Sequence, residues 1–258
     1  MNDILTKKTT KRITEIDILR GFAFIMMAFD HFCFDMGFVF KNIYTNPTLL
    51  KICNFCYNYV LSDTKAIINT FFCWAIFMFV SGISSTFSRS NLKRGLRLLV
   101  IASIFSLGTY IVTLFFKQTN PGINFTVYFG ILQCLAVCML LTPFLNKLNN
   151  YHLLMFGLLI IGSYFITKDI RVNHLWFLPF NIRPETLFTL DYQPLIPRLG
   201  IYMIGMVIGR TLYKNKQSIF KKEFKIEPLN FFGKNCLWLY FVHQVVLFLI
   251  LSIGILIK

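Results

Sequence analysis

Charged side chains are scarce in this sequence: Asp, Glu, Lys and Arg make up 14% of its 258 residues. Soluble domains of this length carry about a quarter. Hydrophobic residues account for 56% of the chain, 30 residues are phenylalanine, and the mean hydropathy is +0.62. The composition excludes an ordinary soluble domain and predicts an all-α, polytopic transmembrane helical bundle.

Acidic residues are rarer still, with 11 Asp and Glu against 26 Lys and Arg, and a formal net charge of +15. This excess does not indicate a nucleic-acid-binding protein, because the basic residues cluster between apolar segments, as topology signals do. No RNP-type or zinc-finger motif accompanies them. We therefore expect membrane lipids, and no nucleic acid, among the partners.

Motifs for metal chemistry, secretion and internal symmetry are also missing. Cys53 and Cys56 form a single C-x-x-C, without the second pair or nearby His of a zinc site, so no metal is expected. The polar start MNDILTKKTTKR precedes an apolar run that is too long for a signal peptide and contains Arg20. The lack of repeats disfavours a transporter built from inverted repeats.

Apolar segments of about 20 residues predict the membrane spans. Seven segments qualify or nearly qualify, the fifth being the shortest. The apolar stretch 48–61 is too short to cross and is expected to form an interfacial helix, and the aromatic-rich stretch 174–180 is expected to be an interfacial or re-entrant segment. The predicted spans are 17–40, 66–87, 95–116, 123–145, 151–167, 194–213 and 234–257.

The distribution of Lys and Arg predicts the topology. A cytosolic N-terminus places fifteen of these residues in inner segments and eight in outer segments. Cytoplasmic loops are enriched in Lys and Arg, so this asymmetry favours a cytosolic N-terminus and seven spans. We expect a cytosolic tail over residues 1–14 and a single transmembrane domain over residues 15–258.

Ionisable residues within the first predicted span indicate a site. Arg20, Asp30, His31 and Asp35 all lie there, and ionisable groups inside a membrane are costly and usually functional. Arg20 and His31 are eleven residues apart, which places them on one helix face about 16 Å apart. Asp35 is one turn beyond His31, within reach of an i,i+4 contact that would orient the imidazole of a base. Asp17, three residues before Arg20, is expected to pair with it.

These residues also have structural interpretations. Arg20 could extend to the inner headgroups without any function. His31 and Asp35 could form a polar pair that joins helices. Two ionisable groups on one intramembrane face exceed what packing requires, and this favours a site.

Arg94 and Arg97 form a second candidate at the inner end of the third span. They are three residues apart in SRSNLKRGLRLL, so they lie on one helix face. Two guanidiniums so placed can bind phosphate oxygens in bidentate fashion. The alternative is a basic anchor at the inner membrane surface.

Four further polar residues lie in or near the later spans. His243 is near the middle of the last span, Gln133 is in the fourth, and Asp191 and Arg198 lie at the outer end of the sixth. Each is a candidate for binding a polar substrate. The alternatives are helix-joining hydrogen bonds for His243 and Gln133, and an ion pair between Asp191 and Arg198.

Four stretches carry a family resemblance. RITEIDILRGFA (12–23), FGILQ (129–133), DYQPLIPRLG (191–200) and GKNCLWLYFVHQ (233–244) resemble bacterial relatives of the heparan-α-glucosaminide N-acetyltransferase catalytic domain, in the same order along most of the chain. The spacing from Arg20 to His31 and the Arg94-x-x-Arg97 pair also resemble the wider acyltransferase-3 group. The resemblance implies an integral plasma-membrane enzyme that transfers an acyl group, usually acetyl from acetyl-CoA, to a carbohydrate or glycolipid acceptor across the membrane.

The resemblance also implies roles for individual residues. His31, oriented by Asp35, would be the base or the acyl-accepting group. The acyl-CoA would be held by Arg20, Arg94 and Arg97. The candidates for contact with the acceptor are Asp191, Arg198, Gln133 and His243.

Two departures from the family pattern limit the comparison. The relatives' catalytic histidine follows their first helix, whereas this chain has no His from 41 to 64. The relatives also have ten or eleven spans rather than about seven, which is consistent with a reduced enzyme or a homo-oligomer. Two other functions stay open: a transporter or channel with a proton-coupled polar path, and a non-catalytic membrane partner with the family fold.

Overall fold

The computed structural model describes residues 12–118, 124–189, 191–220 and 225–256, so residues 1–11 of the predicted tail lie outside it. Regular structure in these ranges is helical, apart from one isolated parallel bridge between Phe129 and Tyr192. The α-helices are α1 (Thr14–Phe34), α2 (Pro47–Val60), α3 (Asp63–Ile68), α4 (Ile76–Ser85), α5 (Asn91–Lys117), α6 (Ile131–Leu145), α7 (Asn150–Thr167), α8 (Leu195–Thr211) and α9 (Glu227–Ile253). Shorter elements are π-helices Asp35–Phe40 and Asn69–Ala75 and 3-10 helices Leu175–Phe180 and Gly254–Leu256.

Within the described ranges, five helical runs are long and apolar enough to cross a membrane. They match five of the seven predicted spans, and the all-α membrane fold is confirmed. The runs are Thr14–Phe40, Asp63–Ser85, Asn91–Phe115, Asn150–Thr167 and Glu227–Ile253.

The two other predicted spans are shorter helices. The segment predicted as 123–145 is helical only from Ile131 to Leu145, which is 15 residues. The segment predicted as 194–213 forms α8, 17 residues long, with a non-helical backbone at Ile196 (φ −91°, ψ 119°) immediately before Pro197. Proline disfavours the α conformation of the residue before it, which accounts for this kink. The count of seven spans and the side of the N-terminus stay predictions.

Local capping explains where α2 and α3 begin. The Asn46 side chain accepts a 2.9 Å hydrogen bond from the Thr48 amide, and Pro47 occupies the first helical position. Both features favour a helix start. The Ser62 hydroxyl accepts from the Lys65 amide at the start of α3. The interfacial stretch predicted over 48–61 thus forms a helix.

The chain divides into two compact units. In the first, residues 12–76 and 213–256, α1 packs directly along α9. A side-chain carbon at Gly21 would overlap the carbonyl oxygen of Leu229, and one at Gly233 would overlap that of Asp17. Small residues allow this close approach of two backbones, as is common between membrane helices.

A buried cluster lies beyond this crossing in the same unit. The Tyr44 hydroxyl donates a 2.6 Å hydrogen bond to the Leu251 carbonyl oxygen, which joins the end of α9 to the segment after α1. Cys33, Cys53 and Cys56 are buried in this cluster as free thiols. The C-x-x-C pair therefore lies on α2 and packs as small hydrophobic side chains do.

The second unit, residues 77–212, contains most of α4 and two helix pairs, α5 with α6 and α7 with α8. Arg210 at the end of α8 fixes the turn between α6 and α7: its guanidinium donates to the Leu148 carbonyl oxygen at 2.7 Å and to the Asn146 side chain at 3.0 Å. Tyr202, fully buried on α8, forms a 2.7 Å hydrogen bond with Thr142 on α6.

Candidate active site

A chain of hydrogen bonds joins three polar side chains of the first and last spans. The His31 Nδ1 atom lies 2.8 Å from Gln244 Oε1. Gln244 Nε2 donates to Asp35 Oδ2, also at 2.8 Å. Asp35 is buried, with 3% of its surface exposed. We call this the His31–Gln244–Asp35 chain.

The amide of Gln244 lies between His31 and Asp35, which were expected to contact each other directly. Side chains at i and i+4 of a helix have Cβ atoms about 5–6 Å apart, which leaves room for a planar group from a neighbouring helix. The amide comes from α9, which the glycine contacts hold close to α1. Asp35 is thus connected to His31 through Gln244.

A second imidazole lies against the first. The His243 and His31 ring centroids are 5.0 Å apart, with the ring planes at 74°. His243 Nδ1 is 2.7 Å from the Tyr240 carbonyl oxygen, which can only accept, so this nitrogen donates. His243 Nε2 is buried and has no hydrogen-bond partner among the described residues.

Asp30, the residue before His31, is held by a different helix. Its carboxylate accepts a 3.2 Å hydrogen bond from Asn69 and lies 3.7 Å from the Lys65 ammonium. Asn69 begins a π-helical segment, and such segments occur frequently at functional sites. Lys65 therefore offsets the charge of Asp30.

Three of these partners were not found from the sequence. Gln244 was visible as a polar residue in an apolar helix, next to His243, and that is the signal that could have singled it out. Lys65 and Asn69 lie at the start of a span, where polar residues are ordinary. Nothing in their pattern indicates contact with Asp30.

The predicted pairing of Arg20 with Asp17 is confirmed. Their closest nitrogen and oxygen atoms are 3.1 Å apart, and 23% of the Arg20 side chain is exposed. Its role in holding acyl-CoA stays a prediction. In the second unit, Arg94 and Arg97 lie in the first two turns of α5 with exposed side chains, and their role is likewise a prediction.

The FGILQ and DYQPLIPRLG stretches meet in the second unit, where Asp191 and Gln133 cap α6. Asp191 Oδ2 accepts a 2.8 Å hydrogen bond from the Ile131 amide, and Gln133 Oε1 accepts from the Gly130 amide at 3.0 Å. Gln133 Nε2 donates to the Ser106 hydroxyl. These bonds satisfy backbone donors that would otherwise be unpaired at a helix start, and so they fix the N-terminus of α6.

Arg198 lies beside this capping arrangement. One of its terminal nitrogens is 3.5 Å from the Pro194 carbonyl oxygen, and its Nε is buried without a hydrogen-bond partner in the part of the chain that the structure describes. Nearby, burial raises the pKa of the Tyr192 phenol to about 12, although neighbouring guanidiniums, that of Arg183 first, act in the opposite direction. Tyr192 is therefore neutral and donates to the Leu178 carbonyl oxygen at 2.9 Å.

An apolar groove of about 390 Å³ lies among α6, α7 and α8 in the second unit. Its lining includes none of the candidate residues, and Ser163 is its single polar residue. A surface of this kind suits contact with lipid tails.

Comparison with protein-family models shows which family the chain belongs to. The family described as heparan-alpha-glucosaminide N-acetyltransferase, catalytic, matches residues 12–245. The chain belongs to this family. The matched range contains the whole His31–Gln244–Asp35 chain as well as Arg94 and Asp191. A search of curated proteins and a search of solved structures each returned no match.

Membership confirms the resemblance read from the four sequence stretches. The N-acetyltransferase family is one of membrane acetyltransferases, whose donor in general is acetyl-CoA. The chain is accordingly a membrane protein of an acetyltransferase family. Among the described residues, no group of three or more His, Cys, Asp and Glu side chains could hold a metal ion.

Proposed function

We propose that this chain is an integral plasma-membrane enzyme of a bacterium that moves an acetyl group from cytosolic acetyl-CoA to an extracytoplasmic carbohydrate or glycolipid acceptor. Family membership supports the reaction class. The observation that carries the proposal is the hydrogen bond between His31 and Gln244 inside two membrane spans. An oriented intramembrane imidazole is what a general base requires.

In the proposed reaction, His31 acts as the base. The acceptor hydroxyl or amine gives its proton to the imidazole while its oxygen or nitrogen attacks the thioester carbonyl carbon. The new carbon–oxygen or carbon–nitrogen bond forms, the carbon–sulfur bond breaks, and the imidazolium returns the proton to the departing thiolate. A positioned base of this kind contributes about 10²- to 10⁴-fold to the rate.

In this proposal, arginine side chains bind the donor, acetyl-CoA. Arg20 in the first unit, and separately Arg94 and Arg97 in the second, are the proposed contacts for the phosphates of acetyl-CoA, since guanidiniums match phosphate oxygens in bidentate fashion. The exposure of Arg94 and Arg97 supports this role, because neither side chain is covered by the rest of its unit.

The candidate contacts for the acceptor are proposed for each unit separately: His243 in the first unit, and Arg198, Asp191 and Gln133 in the second. His243 and Arg198 have the stronger support. His243 Nε2 and Arg198 Nε are buried polar atoms without a described partner, and a buried polar atom is costly until a ligand satisfies it. Gln133 already bonds Gly130 and Ser106.

The test is acetyl transfer by the purified protein in liposomes, with labelled acetyl-CoA outside and a carbohydrate acceptor inside. We expect His31→Ala to lower the rate by about 10²-fold or more. His152→Ala is the matched control, because His152 is an exposed histidine on α7. Equal loss in both variants, or unchanged transfer by His31→Ala, would remove His31 from the reaction.

A transporter or channel is the second candidate. The Asp30–Lys65 ion pair and the edge-to-face His31 and His243 rings place several titratable groups in the spans of the first unit, and such groups often line proton paths. Proton flux into the same liposomes without acetyl transfer would support this function. If neither activity appears, a non-catalytic membrane partner is the remaining interpretation.

A further inference from the structure

We propose that Gln244 is a positioning residue whose amide holds His31 with its ring proton on Nδ1 and so presents Nε2 as the proton-accepting atom. The inference rests on the proposed function, because it takes His31 to be the base. It adds a residue to which neither the sequence nor the family comparison assigned a role. It also specifies which imidazole nitrogen reacts.

The direction of the two hydrogen bonds follows from donor and acceptor chemistry. The Gln244 amide nitrogen can only donate, and it faces Asp35 Oδ2 at 2.8 Å. The reverse orientation of the amide would place two acceptor oxygens against each other. The carbonyl oxygen of Gln244 therefore faces His31, and it can only accept.

The ring proton of His31 is then located by elimination. Nδ1 lies 2.8 Å from an oxygen that accepts, so Nδ1 carries the hydrogen. A neutral imidazole has one N–H, and the lone pair is therefore on Nε2. Without the amide, either nitrogen could carry the proton, and a molecule protonated on Nε2 could not take a proton there.

The helix packing keeps Gln244 in place. A glutamine side chain has three rotatable bonds, but this one is fixed at both ends of its amide by His31 and Asp35. Its helix is held against α1 by the close contacts at Gly21 and Gly233. Sites built on helices fixed in this manner hold their geometry better than sites on loops.

His243 provides a reference within the same site. Its Nδ1 donates to the backbone carbonyl of Tyr240, so its tautomer is set by its own helix and not by Gln244. The two rings are in contact, with centroids 5.0 Å apart. Because His243 does not depend on Gln244 for its tautomer, a change at Gln244 should alter the tautomer of His31 and leave that of His243 unchanged.

The experiment is solid-state NMR of histidine-labelled protein in lipid bilayers, where the two neutral tautomers give different ring nitrogen and carbon shifts. We expect Nδ1–H for both histidines in the unsubstituted protein. Gln244→Met removes both hydrogen bonds at similar side-chain length, and His31 should then populate Nε2–H. Gln244→Glu keeps an acceptor for Nδ1 and should retain more of the Nδ1–H form than Gln244→Met.

Kinetics supply the second readout. We expect kcat about 100-fold lower in Gln244→Met, with KM for acetyl-CoA changed by less than about twofold, because the change affects proton transfer rather than binding. His31 held on Nδ1 in Gln244→Met, or an unchanged kcat, would overturn the inference. The unchanged His243 signal shows that a variant has folded. If Gln244→Met does not fold, Gln244→Glu supplies the test: His31 should stay mainly Nδ1–H in that variant, and Nε2–H there would overturn the inference.

The two proposals fail in different ways. Absence of acetyl transfer by the unsubstituted protein would reject the proposed function. The tautomer of His31 is measured without turnover, so a spectrum showing Nε2–H in the unsubstituted protein would reject the role of Gln244 alone.

Discussion

Asp35 accepts a 2.8 Å hydrogen bond from Gln244, a residue 209 positions later in the chain. The bond satisfies a buried carboxylate and an amide together, within two helices that are apolar enough to span a membrane. Hydrocarbon offers no water to either group, so polar side chains in spans need partners of this kind. The same bond orients the amide that contacts His31, which links the packing of the two helices to the candidate chemistry.

Asp35→Asn should weaken control of the His31 tautomer without removing the side chain. An asparagine can present either oxygen or nitrogen to Gln244, so the amide is no longer held in one direction. We expect kcat to fall about tenfold or more, since general-base positioning is impaired. Asp63→Asn is the control, because Asp63 is exposed at the start of α3. Full activity of Asp35→Asn would contradict this role.

Arg94→Ala and Arg97→Ala test the donor site. Each removes one guanidinium from an exposed pair on α5, and we expect KM for acetyl-CoA to rise about tenfold or more, since a charge-assisted contact contributes about 1.5–3 kcal/mol. Arg89→Ala removes an equal charge from the preceding loop and should leave KM unchanged. Equal effects in all three variants would indicate a general basic anchor.

Gly21→Ala and Gly233→Ala should destabilise the first unit. An added carbon at either position overlaps a backbone carbonyl oxygen of the facing helix, and overpacking of this kind costs about 1–3 kcal/mol. Gly162→Ala is the control, because nothing lies within 4 Å of the carbon it would add. That variant should be neutral or slightly stabilising, since glycine is unfavourable within helices. Thermal unfolding in detergent measures all three, and equal melting temperatures would contradict close packing.

Asp191→Ala separates helix capping from acceptor binding. Loss of the bond to the Ile131 amide should cost about 1 kcal/mol, as removal of a helix cap does. Hydrogen exchange at the Ile131 amide should become faster. If Asp191 also binds the acceptor, KM for the acceptor rises in addition, whereas a purely structural role leaves it unchanged. Slow exchange at Ile131 in this variant would exclude the cap.

The first span and its polar residues were predictable because their signal is local. Ionisable residues are rare in membrane spans, so Arg20, His31 and Asp35 can be recognised as unusual in this apolar run from the sequence alone. The pairing of Arg20 with Asp17 was predictable for the same reason, because three residues separate them on one helix.

The start of α6 and the role of Gln244 were not predictable, because both depend on distant contacts. The bond from the Ile131 amide goes to Asp191, 60 residues away, and the apolar residues before Ile131 resemble a continued span. Gln244 acquires its role from His31, 213 residues earlier. Local hydrophobic patterns contain no information about such pairings.

The separation of His31 from Gln244 has a consequence for biosynthesis. The ribosome delivers the imidazole to the bilayer about 210 residues before it makes the glutamine that binds it. During that interval the first helix carries its buried polar groups without their final partners. The acid–base centre is completed only when the last helix inserts, so a nascent chain shortened ahead of Gln244 holds the histidine but not the arrangement that would make it a base.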